Sequence, residues 1–177
     1  MLSREIALTE VLDDVGATLA PPAAVSEELP FTQSAYYDRE MGPGLRRAFG
    51  AVEGLWDPQR LPQLKLSANA LEHRWQGPSG RRVNLDPGLL SLTQVVLASG
   101  KPAGHRLYLG QGIHGEIEYV FAGGVFQALP WTYPDFRAPG TLEFFNGLRA
   151  AHRAKLRRAV RDTPRTGRRT PDDGRTR

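Results

Sequence analysis

One histidine and two aspartates stand where they could support proton transfer. His105 opens the segment HRLYLGQGIHGEI, Asp86 lies in NLDPG, and Asp135 lies in WTYPDF. An imidazole changes charge near neutral pH and exchanges protons readily with a carboxylate partner. We therefore predict His105 and Asp86 as catalytic residues, with Asp135 as an alternative partner for the histidine. A structural hydrogen bond between the same residues is the competing interpretation.

Basic, acidic and amide side chains near these residues could bind a ligand. The candidates for ligand binding are Lys65, Asn69, Glu72, Arg82, Asn84, Arg106 and Glu116. In this prediction Arg82 and Arg106 hold an anion, while Lys65 and Glu72 lie at the rim of the site. The alternative is a network of i,i+4 pairs on a helix surface for the residues between 65 and 72. Turn capping is the alternative for Asn84.

Three further polar residues, His114, Glu116 and Glu118, share one face of a predicted strand. Alternate residues along a strand lie ~7 Å apart, so these three side chains cannot meet one ion unless the strand bends. We predict no metal site here and interpret the face as solvated and acidic.

Phosphate-binding loops are excluded by sequence. The loop pattern needs a glycine five residues before its Gly-Lys pair and a serine or threonine after it. Gly100-Lys101 is followed by Pro102, and Val95 occupies the first glycine position. The letters GQGIHG at 110–115 match the dinucleotide-binding pattern, but they lie between two strand candidates and open no helix.

Hydrophobic periodicity predicts an α+β fold in which helices pack against a small, mainly antiparallel sheet. We expect helices over residues 4–16, 34–53, 58–76 and 141–160. Strands over 105–109, 113–121 and 125–129, separated by glycine turns, are expected to form an antiparallel meander. The segment LLSLTQVVLASG is ambiguous and is predicted as a helix capped at Ser91. Two prolines exclude LPWTYPDF from the sheet interior, so it should wrap across a sheet edge or face.

The composition indicates one folded unit with a charged tail. The chain has 177 residues, no cysteine and a net charge of +4. We predict a single domain over residues 1–160 and a disordered, arginine-rich tail over 161–177. Residues 1–157 carry equal numbers of basic and acidic side chains, so the excess positive charge lies beyond them. No apolar run approaches the ~20 residues of a membrane span, and the first residues lack the apolar run of a signal peptide. We therefore predict a cytoplasmic protein without membrane association.

Five motifs occur here in the order in which one bacterial family carries them. They are FTQSAYYDREMG, KLSANALE, RRVNLDPG, HRLYLGQGIHGEI and LPWTYPDF. On these motifs the chain resembles the family of domain of unknown function 4416, from about residue 28 to residue 145. The resemblance implies no established activity. It implies that the polar residues of the motifs converge on a cleft of mixed charge, suited to a small polar or anionic ligand.

Proteins of that family usually begin with an additional apolar strand upstream of the position that matches Ser3. We therefore expect either a start assigned too far downstream or a sheet that is one strand short, with an exposed edge.

The functional prediction is a small-ligand-binding or enzymatic domain built on these residues. The sequence does not decide whether the protein is an enzyme, and it indicates neither a cofactor nor an oligomeric state. One alternative is an RNA- or nucleic-acid-associated module that stacks bases on Tyr108, Trp131 and Tyr133 and holds phosphates with its tail. The neutral body limits nucleic-acid binding to the tail. The other alternative is a protein-interaction module.

Overall fold

The computed structural model describes residues 1–33 and 37–162, and within them the chain has the predicted α+β fold. The helices are α1 (Leu8–Thr18), α2 (Asp38–Met41), α3 (Leu61–Arg74) and α4 (Pro139–Asp162). The strands are β1 (Pro22–Val25), β2 (Leu29–Pro30), β3 (Arg46–Arg47), β4 (Gly50–Val52), β5 (Gln76–Gly77), β6 (Gly80–Arg81), β7 (Gly88–Leu90), β8 (Gln94–Ser99), β9 (Leu107–Gly110), β10 (Ile113–Ala122) and β11 (Val125–Ala128). No helix of the described residues is both long and apolar enough to cross a membrane. The first two residues of the predicted tail belong to α4, and residues 163–177 lie outside the described part.

The largest sheet is built on β10, its longest strand. β8 pairs with one edge of β10 over residues 114–120, and β7 extends the sheet beyond β8. Along the opposite edge, β9 pairs with residues 113–115 and β11 pairs with residues 119–122. Every pairing is antiparallel. The three strands predicted between residues 105 and 129 are therefore confirmed.

The helix predicted over LLSLTQVVLASG is wrong, because this segment forms β7 and β8. β8 pairs on both sides, with β7 and with β10. Its residues Val95 and Val96 have the β-branched side chains that fit a pleated, covered surface. The hydroxyl of Ser91 accepts the backbone N–H groups of Thr93 and Gln94 at 3.1 and 3.0 Å. The residue predicted as a helix cap therefore closes a turn between two strands.

The helix predicted over 34–53 is largely wrong as well. Residues 34–36 lie outside the described part, and α2 then occupies only four residues. Gly42 follows with φ of 81°, which ends the helix in a conformation that favours glycine. The chain continues as β3 and β4, which pair with β2 and β1. Pairing with the preceding extended segment overrides the apolar spacing that had suggested a helix.

The helix predicted over 58–76 is confirmed as a short 3-10 turn, Pro58–Arg60, followed by α3. The Asp57 side chain accepts the N–H of Gln59 at 2.9 Å, and Pro58 occupies the first helical position. α3 buries Leu61, Leu64, Ala68 and Leu71 along one face. Lys65 and Glu72 are buried to the same extent, so α3 carries two charged side chains into the interior.

The first residues of the chain fix the segment that follows β6. Leu2 forms antiparallel bridges with both Arg46 and Val83, and the N–H of Ser3 donates to the Arg82 carbonyl at 2.8 Å. Val83 is fully buried with Leu2. The backbone of residues 82–84 is therefore held rigidly beside the polar face of α3.

An aromatic core holds the segment LPWTYPDF against β10. Tyr119 and Phe136 are almost completely buried, and they cluster with Phe126, Phe145 and Phe49. The Tyr119 hydroxyl donates to the Phe136 carbonyl. We call residues 129–136 the closing loop, because they cross β10 as predicted and seal this core.

Candidate functional site

Lys65 of α3 is the centre of a buried ionic cluster. Its ammonium donates to the Leu85 carbonyl at 2.7 Å and to Asp86 Oδ1 at 3.1 Å. It also lies 3.7 Å from Glu72 Oε1, about two helical turns further along α3. A buried ammonium needs such partners, because an unpaired charge in the interior is very unfavourable. The position of Lys65 thus depends on the segment around Asp86.

Glu72 and Arg81 complete this cluster. Glu72 Oε1 accepts the backbone N–H of Leu85 at 2.8 Å, and Glu72 Oε2 accepts Arg81 Nη1 at 3.0 Å. The same Arg81 nitrogen donates to Asn84 Oδ1 at 2.7 Å, and Asn84 Nδ2 donates to Asp86 Oδ2 at 2.7 Å. Hydrogen bonds therefore run without a break from α3 to Asp86. The structure brings Lys65, Glu72, Asn84 and Asp86 together.

Two of the predicted ligand-binding residues are placed differently. Arg82 turns away from the cluster, and its guanidinium lies 3.6 Å from Glu5 in an exposed pair. The preceding residue, Arg81, lies in the cluster instead. Asn69 lies half-buried on α3 between Lys65 and Glu72 and makes no side-chain hydrogen bond to a described residue.

A second cluster lies at the other end of the site, between β9 and β10. The Glu116 carboxylate is only 2% exposed and has both oxygens engaged. Oε2 accepts Arg106 Nε at 2.8 Å, and Oε1 lies 2.8 Å from His105 Nε2. Arg106 also donates to the Ser99 hydroxyl at 2.9 Å and to the Tyr133 hydroxyl at 2.7 Å. The carboxylate partner of His105 is therefore Glu116, and neither Asp86 nor Asp135 contacts it.

The interpretation of β10 as carrying a solvated acidic face is wrong. Glu116 and Glu118 are both buried, and Glu118 has no exposed surface at all. The register of β10 against β8 shifts between Ile117 and Tyr119, which is the signature of a β-bulge. The closing loop also covers this face: the Trp131 indole donates to the Ile117 carbonyl at 2.9 Å.

Glu118 is held as a neutral acid. Its Oε2 accepts the backbone N–H of Tyr133 at 3.3 Å, and its Oε1 has no hydrogen-bond partner among the described residues. Burial, followed by the negative charge of Glu116, raises the pKa of this carboxyl to about 8. Asp135 adds to the effect, and Arg47 opposes it. Glu118 is therefore mainly protonated at neutral pH.

Arg47 of β3 links Asp86 of the first cluster to Asp135 of the closing loop. Its Nη1 lies 2.6 Å from Asp135 Oδ2 in the closing loop, and its Nη2 lies 4.0 Å from Asp86 Oδ2. The aromatic rings of Phe49 and Phe136 each lie 5.3 Å from its guanidinium carbon, within the range of a cation–π contact. Burial disfavours the charged form of Asp86, but the charges of Lys65 and Arg47 outweigh it and keep the pKa of this carboxyl below its usual value.

The pKa of the Tyr133 hydroxyl depends on charged residues of both clusters. Burial and the charge of Glu116 raise the pKa of its hydroxyl; Glu118 and Asp86 act in the same sense, and Arg106 opposes them. Asp86 and Glu116 are therefore both close enough to influence one phenol. We call the connected set the polar network; its members are Arg47, Lys65, Glu72, Arg81, Asn84, Asp86, His105, Arg106, Glu116, Glu118, Tyr133 and Asp135.

Partly exposed aromatic rings line the solvent-facing side of the polar network. His105 stacks on Trp131 with ring centroids 5.5 Å apart and planes inclined by 14°. Trp131 is 39% exposed, Tyr133 is 40% exposed, and the His105 side chain is 32% exposed. His105 Nδ1 forms no hydrogen bond with a described residue, while Nε2 faces the buried Glu116. This arrangement resembles the way in which a carboxylate orients a catalytic imidazole, leaving the outer ring nitrogen to exchange a proton.

Several members of the network were not predicted from sequence. Arg47 was placed in a helix, so nothing indicated that it would reach Asp135. The sequence predicts Arg82, and not Arg81, as a ligand-binding residue. Only the hydrogen bonds of the folded chain show that Arg81 lies in the cluster. Glu118 was assigned to solvent because strand alternation takes no account of what covers a face. Among the described residues, no group of three or more histidine or acidic side chains is arranged to hold a metal ion.

A comparison with protein families assigns most of the chain. The profile of the family described as Domain of unknown function (DUF4416) matches residues 1–152, which include the whole polar network. No curated protein and no solved structure matches the chain.

Proposed function

The chain belongs to the DUF4416 family, and we propose that its polar network binds a small polar ligand with which His105 exchanges a proton. The observation that carries this proposal is the chain of contacts Arg106–Glu116–His105. Arg106 fixes a buried carboxylate, that carboxylate lies 2.8 Å from one ring nitrogen of His105, and the other ring nitrogen has no described partner. A ring oriented in this way is prepared for general acid–base chemistry.

The charge of the network supports a neutral or cationic ligand over an anion. Its four cations, Arg47, Lys65, Arg81 and Arg106, face four carboxylates, and Glu118 is neutral at pH 7. Every donor nitrogen of Arg106 already has an acceptor within the protein. An anion would have to break these pairs in order to bind. Of the two kinds of ligand first considered, polar and anionic, the polar one therefore fits better.

The surface around His105 suits a small ring or a compact polar group. Trp131 and Tyr133 present partly exposed aromatic faces, and the Trp131 indole is fixed by its hydrogen bond to Ile117. Asp86, with a third of its side chain exposed, offers a carboxylate to a donor group on the ligand. Asn69 adds an amide without a described partner. We infer that the ligand stacks on the aromatic faces and donates a hydrogen bond to Asp86.

A thermal-shift screen of neutral and cationic metabolites tests this function. A true ligand raises the midpoint temperature of thermal unfolding of the wild-type protein, because a ligand that binds the folded state stabilises that state. Glu116→Gln should weaken its binding at least tenfold, since the amide no longer orients the imidazole as the carboxylate does. Asp86→Asn should weaken binding as well. His73→Gln is the matched control, because His73 is exposed and bonds only to Gln76 among the described residues.

Two results would contradict the proposal. One is a ligand that stabilises wild type and whose binding is unchanged in both Glu116→Gln and Asp86→Asn. The other is a screen in which only phosphates and carboxylates stabilise the protein, since this would require the paired arginines to bind an anion.

A further inference from the structure

Helix α4 extends beyond the part of the chain that the family covers. Its first half is anchored to the body: Phe145 lies in the aromatic core, and Arg149 donates to the Leu92 carbonyl at 2.7 Å and covers the ring of Phe121. The family match ends at residue 152, yet the helix continues to Asp162. Leu156 is half-buried, and residues 157–161 are all exposed. The side chains of residues 157–161 are therefore accessible to solvent.

The charge of the chain changes sign at this point. Residues 1–152 contain 13 basic and 16 acidic side chains, a net charge of −3. Residues 153–177 contain 10 basic and 3 acidic side chains, a net charge of +7. A uniform preference for arginine along the chain cannot produce this concentration in 25 residues. We call residues 153–177 the basic arm.

The helical part of the arm gathers its arginines on one side. At ~100° per residue, Arg153, Arg157 and Arg161 fall within ~80° of one another around α4, spaced ~6 Å along its axis. Arg158 lies ~60° beyond them. All are exposed, and none has an ion-pair partner among the described residues. They therefore form a row of guanidinium groups available to an external polyanion.

We propose that this arginine row binds the phosphate backbone of a nucleic acid, independently of base sequence. Arginine donates to phosphate in a bidentate manner, and closely spaced phosphates match a row of cations. Residues 153–177 contain no aromatic and no amide side chain, so the arm has no stacking platform and few groups that could read bases. The body has the opposite net charge, so contact is confined to the arm.

Fluorescence anisotropy on the full chain tests this proposal. The probes are a labelled 20-nucleotide uridine RNA and a 20-base-pair DNA duplex, titrated from 50 to 200 mM salt. The test variant is Arg153→Gln/Arg157→Gln/Arg161→Gln, which preserves helix propensity. The matched control is Arg4→Gln/Arg39→Gln/Arg60→Gln, which removes the same charge from exposed positions on the body. Circular dichroism verifies that both variants keep the helix content of wild type.

We expect salt-sensitive binding that the test variant weakens. Losing three phosphate contacts should reduce the slope of log K against log salt by about 2 for the single strand and somewhat more for the duplex. The control should retain the wild-type slope. The two probes distinguish RNA from DNA as the source of the phosphates.

Three results would overturn the inference: no binding of either probe at 50 mM salt, equal losses in the test and control variants, or an unchanged slope in the test variant. Binding only to vesicles of 30% phosphatidylserine in phosphatidylcholine, with neither nucleic acid bound, would instead assign the row to a lipid surface. None of these results bears on the ligand screen, because the arm lies outside the polar network.

Discussion

Replacing Glu118 with glutamine should stabilise the protein, and increasingly so as the pH rises. Glu118 is completely buried beside Glu116 and Asp135, and its pKa is raised from the ordinary 4.5 to about 8. Between these two values the folded state holds a proton that the unfolded chain has lost. The contribution of Glu118 to stability is therefore complete below pH 4.5 and is lost as the pH rises through 8. Glutamine resembles the protonated acid and is free of this dependence.

The size of the effect follows from the shift in pKa. Each pH unit between the two values changes the free energy of unfolding by about 1.4 kcal/mol, so the total is at most about 4 to 5 kcal/mol at pH 8. The Tyr133 N–H can still donate to the amide oxygen of the variant, so the closing loop keeps its hydrogen bond to this side chain.

Urea unfolding at pH 5, 6, 7 and 8 measures this difference. The advantage of Glu118→Gln over wild type should be small at pH 5 and should grow by up to about 1.4 kcal/mol for each pH unit. Glu27→Gln, which removes the carboxylate of an exposed residue, is the control and should show no such trend. A difference that stays constant from pH 5 to pH 8, or that favours wild type at pH 8, would refute the neutral state of Glu118.

Three further substitutions probe the packing around the site, each by urea unfolding. Lys65→Met should cost about 3–5 kcal/mol, because it leaves the Leu85 carbonyl and Asp86 without the ammonium and removes one of the two cations beside the buried Glu72; adding Glu72→Gln should restore part of that loss. Tyr119→Phe should cost about 1–3 kcal/mol, since a buried backbone carbonyl loses its donor, and an equal stability would show that water replaces the hydroxyl. Gly88→Ala places a Cβ 2.7 Å from a backbone oxygen of β8 and should cost about 1–3 kcal/mol, whereas Gly100→Ala enters open space and should change stability by less than about 0.5 kcal/mol.

Local chemistry explains which elements could be predicted. The helical segment begins at Pro58, where Asp57 caps the 3-10 turn that leads into α3, because capping depends on neighbouring residues alone. β9, β10 and β11 follow from alternation and from glycines such as Gly110 and Gly123, whose φ values are positive in the turns. Each of these signals is contained within a few residues of the chain.

The elements that failed depend on distant partners. The sequence of β8 is ambiguous between helix and strand in isolation, and its position between β7 and β10 makes it a strand. β3 pairs with residues 16 and 18 positions earlier, and β4 pairs with residues 25 to 30 positions earlier. Tertiary pairing decides these segments, and local propensity carries little information about it.

In the candidate site, too, some residues could be predicted from local sequence, whereas others depend on distant contacts. The composition of the motifs identified Lys65, Glu72, Asp86 and Glu116, which all take part in the network. The pairing of charges could not be predicted, because Arg47 and Asp135 are separated by 88 positions and meet only after the closing loop crosses β10. The same loop buries Glu118, whose sequence neighbourhood resembles that of any exposed strand.

The central claim, a ligand bound over His105 and the closing loop, is tested most directly by the indole N–H resonances of the three tryptophans. Trp131 lies against His105, whereas Trp56 and Trp75 donate to Glu53 and Asp14, outside the network. A stabilising ligand from the screen should shift the Trp131 resonance, assigned with Trp131→Phe, and leave the other two unchanged. A ligand that shifts Trp56 or Trp75 while the Trp131 resonance stays in place would contradict the account.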